Sequence, residues 1–181
     1  MSAMSDIRTV KVSLPIIQAP SQQVAITGSF DASHGVDVAI TTTATAVPFN
    51  TNDFDSGGSI DHDTVTNNTR FVVNQSGTYE FTFQPQVSSL SNNTGNAYFW
   101  MRKNGTTPIA NTSVTYKVNH VGTSNSVVVS VIVPLLANEY IELMALASVN
   151  SEYVLDYTVG SGAGATARPA TPACIVSVKG W

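Results

Sequence analysis

Apolar and polar residues alternate along much of this chain. Residues 78–87 (TYEFTFQPQV) send Tyr79, Phe81 and Phe83 one way and Thr78, Glu80, Thr82 and Gln84 the other, the period of a strand with one face in a core. Residues 97–103 (AYFWMRK) and 140–147 (YIELMALA) repeat the pattern, and residues 127–133 (VVVSVIV) form a β-branched run broken only by Ser130. Shorter strand signals fall at 36–40, 70–73, 114–118 and 153–159, and a final one at 175–179 (IVSVK) stops just before Gly180 and Trp181. That last strand is expected to pair inside a sheet, because a frayed end would leave Trp181 in water. Turns separate these runs at 74–77, at Asn104-Gly105 and at 134–138. Asn-Gly is the strongest hairpin signal of the three, since both residues tolerate positive φ. Residues 51–66, 88–96 and 160–167 read as loops. Helical periodicity is nearly absent, and short strands at regular spacing predict an all-β sandwich.

Two of the strands are apolar on both faces. In 97–103, Ala97, Phe99 and Met101 form one face, but Tyr98 and Trp100 stand beside Arg102 on the other; in 140–147, Tyr140 and Met144 flank Glu142 opposite Ile141, Leu143 and Ala145. A single sandwich has one core between its sheets, so the second aromatic face predicts a partner. Tyr98, Trp100, Tyr140 and Met144 are therefore expected to line a threefold axis between copies of the chain, unless a loop or the N-terminal arm covers them.

Residues 1–35 differ from the rest. Val10, Val12 and Leu14 alternate with Lys11 and Ser13, Pro15 and Pro20 interrupt, and a short run at 24–26 ends at Gly28. The division expected is an extended N-terminal arm over 1–35, with Val10, Val12 and Leu14 as anchoring residues, followed by one domain over 36–181.

Composition narrows the function classes. Apolar residues make up 43% of the 181 and charged residues only 11%, against about 25% charged in an ordinary soluble domain. The net charge of −4 comes with no basic stripe, so no nucleic-acid partner is expected. No apolar run nears the ~20 residues of a membrane helix, and the first fifteen residues lack the basic and apolar regions of a secretion signal. The single cysteine, Cys174, excludes an intrachain disulfide and reads as a small buried hydrophobe.

Three stretches resemble a known family: FVVNQSGTYEF at 71–81, AYFWMRKNG at 97–105 and VIVPLLANEYIEL at 131–143. Their order and spacing are similar to the globular domain of complement subcomponent q, within the tumour-necrosis-factor-like jelly rolls, over residues 45–181. The resemblance implies a ten-stranded jelly-roll β-sandwich, a tight homotrimer and no enzymatic activity. The chain has no Gly-X-Y collagen repeat. Its Thr- and Asn-rich composition and its PATPA-strand-Lys-Gly-Trp ending look like phage and other viral structural proteins.

Candidate chemistry is sparse. Asp61-His62-Asp63, near Asp53 and Asp55, is an oxygen-rich stretch of the kind that binds calcium, but its spacing is not that of an EF-hand, and a solvated acidic loop explains it. Asp61 and Asp63 are thus weak metal candidates, and no other cofactor is expected. His34, His62 and His120 show no metal spacing, and Ser29 and Ser161 lack a nucleophile elbow. The expectation is a virion component, a trimeric capsid decoration, head-fibre or tail-tip protein bound to other virion proteins. The alternative is a trimeric receptor- or glycan-binding module using the loops at 51–66 and 88–96, in which Phe54 is the one aromatic residue.

Overall fold

The computed structural model describes residues 28–92, 95–117, 120–162 and 167–181. Fifteen strands and no helix are found among them: β1 Gly28–His34, β2 Val38–Ile40, β3 Thr45–Ala46, β4 Thr51–Ser56, β5 Ile60–Asp61, β6 Phe71–Val73, β7 Gly77–Ser89, β8 Ala97–Lys103, β9 Thr107–Pro108, β10 Val114–Tyr116, β11 Ser124–Ser126, β12 Val129–Leu135, β13 Tyr140–Ala147, β14 Tyr153–Leu155 and β15 Cys174–Gly180. They form two antiparallel sheets. The first runs β2-β14-β7-β15-β1-β4, with β11 and β12 along the other side of β7; the second runs β10-β8-β13-β6-β5, with β3 and β9 at its margins. This is the all-β sandwich that the alternation predicts, in the jelly-roll form that the resemblance implies, with fifteen strand segments where that resemblance implies ten.

β7 organises the first sheet. Its first half pairs with β12 and β15, its second half with β11 and β14. Pro85, which has no N–H to give, sits where the partners change: Val127 N donates to Pro85 O at 2.9 Å, and Gln86 N resumes by donating to Ala173 O at 2.8 Å. The final strand lies between β7 and β1, deep in the sheet, as its sequence pattern implies. The Asn104-Gly105 turn has φ of 51° and 72°, closed by Thr106 N donating to Lys103 O at 3.2 Å.

Between the sheets the alternating aromatics meet. Phe71 packs at 5.0 Å from Phe49, 5.7 Å from Phe83 and 6.0 Å from Phe30, ring centre to ring centre. Tyr79, Phe81, Phe99, Met101, Ile141, Leu143, Val176 and Val178 complete this core. The inward faces assigned from the sequence for β7 and β8 are the buried faces, while in β13 Ile141, Leu143 and Ala145 are buried together with Glu142 and Met144 of the other face.

Besides shifts of a few residues at strand ends, two assignments differ from the expectation. Residues 28–34, assigned to the arm, form β1, paired with both β15 and β4 and burying Phe30 and Ala32. The jelly roll therefore reaches back to residue 28. The stretch 51–66, read as a loop, contains β4 and β5. β4 is exposed along nearly its whole length, so its sequence needs no apolar alternation.

Candidate interaction surfaces

The outward face of the second sheet brings all four expected seam residues together. Trp100 lies opposite Met144, Tyr98 opposite Leu146 and Arg102 opposite Glu142 in the β8–β13 ladder, while Tyr140 pairs with Val72 of β6. Much of this face is already covered by its own neighbours. Met144 is only 2% exposed in a single chain, and Tyr98, Trp100 and Tyr140 are half-buried. Met144 thus has almost no surface left to hide against a partner.

Glu142 lies at the centre of this face, 3% exposed. Arg102 donates to its Oε2 from Nε at 3.1 Å and from Nη2 at 2.8 Å, and Thr69 Oγ1 donates to Oε1 at 2.9 Å. Arg70 approaches the same carboxylate at 3.7 Å and holds its guanidinium 4.8 Å above the Tyr140 ring. A buried carboxylate needs such pairing. Two guanidiniums thus balance the buried charge, and one of them rests on the Tyr140 ring.

The outward face of the first sheet is more exposed, and its seam potential was missed in the sequence. Ile132 of β12 is 63% exposed, Trp181 59%, Phe54 of β4 50% and Ile175 of β15 39%. The ladders set Ile132 beside Glu80, Glu80 beside Lys179, and Ser177 between Thr82 and Asp31, with Phe54 opposite Asp31. The result is an apolar border around small hydroxyl side chains, the neighbouring opposite charges of Glu80 and Lys179, and the carboxylate of Asp31. Trp181 N donates to Thr78 O at 3.0 Å, so the terminal backbone is fixed although the indole is in water. Beside it, Gly28, Ser29, Ser56, Lys179, Gly180 and Trp181 line a hollow of about 340 Å³.

Asp61 and Asp63 have local structural uses. Asp61 accepts from Asn74 Nδ2 at 3.0 Å, and Asp63 accepts from the amides of Val65 and Thr66 and from the Thr66 hydroxyl. These bonds hold the Asp63 carboxyl below its usual pKa. Both residues line a cleft that Arg70 also enters, and a bound cation would face that guanidinium. No group of three or more His, Cys, Asp or Glu side chains converges among the described residues. Burial pushes the Cys174 thiol far up, which leaves it unreactive. Val10, Val12 and Leu14 lie outside the described residues.

Two histidines make stability depend on pH. Burial pulls His34 below its ordinary pKa, and it does the same to His62, against the opposing bond to the Asn68 carbonyl and the nearby Asp63 charge. His62 stacks on Phe71 at 4.6 Å, and Asp61, Asp63 and Arg70 share its cleft. A histidine whose folded pKa is depressed takes up its proton more readily in the unfolded chain. Its contribution is therefore complete above about pH 6.5 and is lost as pH falls from there towards the folded pKa. The urea midpoint should drop between pH 7 and pH 5, and a His34→Asn/His62→Asn double variant should flatten that slope.

No family model matches the sequence, and no curated protein sequence matches it. Solved structures do. The globular domain of zebrafish complement 1qA superposes with a TM-score of 0.52 at 13% identity, covering 83% of this chain and 94% of that one. Murine APRIL gives a TM-score of 0.53 at 9% identity, covering 84% of this chain and 98% of that one. Two curled antiparallel sheets, a terminal strand within the first sheet and these likenesses identify the fold as the jelly-roll β-sandwich of the complement 1q and tumour-necrosis-factor type.

Proposed function

We propose that this chain is a non-enzymatic module that associates in threes through the outward face of its first sheet and binds other macromolecules with what remains exposed. Domains of this fold are typically homotrimeric. The observation that carries the reading is the set of exposed apolar side chains, Ile132, Ile175, Phe54 and Trp181, on one sheet face. Fully burying such a side chain contributes roughly 1.5–3 kcal/mol, so covering their exposed halves at three equivalent seams offers several kcal/mol. The opposite face, where the structure leaves Tyr98, Trp100 and Tyr140 only half-exposed, stays on the outside of such a trimer. Its partly exposed aromatics beside Arg70 and Arg102 suit a partner protein.

The setting we propose is a virion, with the trimer decorating a capsid or ending a fibre, and residues Val10, Val12 and Leu14 as its anchor. The low charge content and the Thr- and Asn-rich composition support this, since a surface largely covered by neighbours needs few charges. Incubating purified trimer with empty capsids and with host cells tests the setting. Retention on capsids, lost on deleting residues 1–27, is the expected result. Binding to cells alone would favour receptor recognition instead.

A further inference from the structure

The cleft at the β5–β6 margin of the second sheet is lined by Asp61, His62, Asp63, Asn67, Arg70 and Val72 and has a volume of about 290 Å³. That is the small end of ligand pockets, which run from about 300 to 1,000 Å³, and it suits one small polar molecule. The chain itself fixes the walls. Asp63 is tied to the Val65 and Thr66 amides and the Thr66 hydroxyl, and Asp61 accepts from Asn74 Nδ2 at 3.0 Å. Arg70 N donates to Asn67 O at 3.0 Å. The His62 ring is a buried floor, held by Asn52 and the Asn68 carbonyl and stacked on Phe71. A hollow shaped before anything binds loses little in ordering.

Three of the lining side chains have hydrogen-bonding capacity to spare. The Arg70 guanidinium lies 3.7 Å from Glu142 Oε1 and rests on the Tyr140 ring, with no closer polar partner among the described residues. The Asn67 side-chain amide is exposed and unpaired among them, and Asp61 has its second carboxylate oxygen free. Arg70 only donates, Asp61 only accepts, and the Asn67 amide does both. An anion in this cleft would meet two carboxylates, and a cation would meet the guanidinium. A hydroxyl donates and accepts at once, so neighbouring hydroxyls on one ring can give to Asp61 and take from Arg70 and Asn67. Val72 is half-buried on the same wall, with Tyr140 opposite it in the ladder. Together they offer an apolar surface to the C–H face of such a ring.

We propose that this cleft binds a neutral saccharide through a pair of neighbouring hydroxyls, with Asp61 as acceptor and Arg70 and Asn67 as donors. The affinity for a single sugar ring is millimolar, the scale set by so few non-hydrogen atoms. The cleft opens on the second sheet, the side that the proposed trimer leaves outside. Its accessibility in the assembly rests on that reading, but the site itself lies within one chain.

Saturation-transfer NMR of the full chain with the methyl glycosides of glucose, galactose, mannose and fucose, each raised to about 20 mM, tests it, since that concentration exceeds a millimolar Kd. At least one glycoside should give a signal that rises to a plateau. Asp61→Asn/Asn67→Ala changes two exposed side chains, so the fold should persist, and binding should weaken at least tenfold. Ile132→Glu should bind the glycoside as the wild type does, in whatever assembly state it takes, which separates failure of this site from failure of the trimer. The proposal is overturned by no saturable signal from any of the four glycosides, by an undiminished response in the double variant, or by an equal response to glycine, a small zwitterion.

Discussion

Ile132→Glu should turn a trimer into single chains at micromolar concentration while leaving each chain folded. Ile132 is 63% exposed, so the isolated subunit loses no core contact when it is replaced. In the proposed trimer the same position is covered, and a carboxylate buried there without a partner costs several kcal/mol at each of three equivalent seams. A loss of at least a thousandfold in association is the expected scale, since each 1.4 kcal/mol is tenfold. Mass photometry reads it directly, and circular dichroism confirms that the sandwich persists. Trp100→Ala is the matched control. Trp100 lies on the opposite sheet, facing Met144, and its loss should leave the trimer intact. The reverse pattern, dissociation by Trp100→Ala and none by Ile132→Glu, would return the seam to Tyr98, Trp100 and Tyr140.

Phe71→Ala should cost about 3–5 kcal/mol, the range for deleting a fully buried aromatic ring. Phe71 is at the centre of the core: it touches Phe30, Phe49 and Phe83, and His62 stacks on its face at 4.6 Å with the rings 10° apart. Removing it opens a cavity between the sheets and frees the imidazole, whose Nδ1 faces the Asn52 side-chain oxygen at 2.6 Å and whose Nε2 faces the Asn68 carbonyl at 3.1 Å. Phe71→Leu, which fills most of the space, should cost clearly less. Urea titration of both variants at pH 7 gives the two values. Equal and small losses would mean that this ring cluster is not the centre of the fold's stability.

The long strands were legible because burial on one face imposes a two-residue period that nothing else in a sequence imitates. Tyr79, Phe81 and Phe83 read correctly on that basis, as did Phe99 and Met101. β4 escaped because it is an exposed strand, and TNDFDS carries loop-like residues with Phe54 alone among them. β1 escaped because Gly28, Ser29, Ala32 and Ser33 are small, although Phe30, Ala32 and His34 alternate and are buried.

The aromatic face of β8 and β13 was legible as a face, but not how much of it the chain covers by itself. That depends on Arg70 and Thr69, far away in sequence, folding against Glu142. The exposure of Ile132 was hidden in a run of β-branched residues, where apolarity gives no direction. Ser130 gave the missing clue: it points outward, so the residue two positions on does as well. Trp181 carried no such signal, because its exposure follows from what neighbouring strands fail to cover.

Sedimentation equilibrium of the full chain at micromolar concentration tests the central claim most directly. A single species of three times the 19.1 kDa chain mass is expected, resolved into single chains by Ile132→Glu. A wild-type protein that sediments as one 19.1 kDa chain over that range would contradict it.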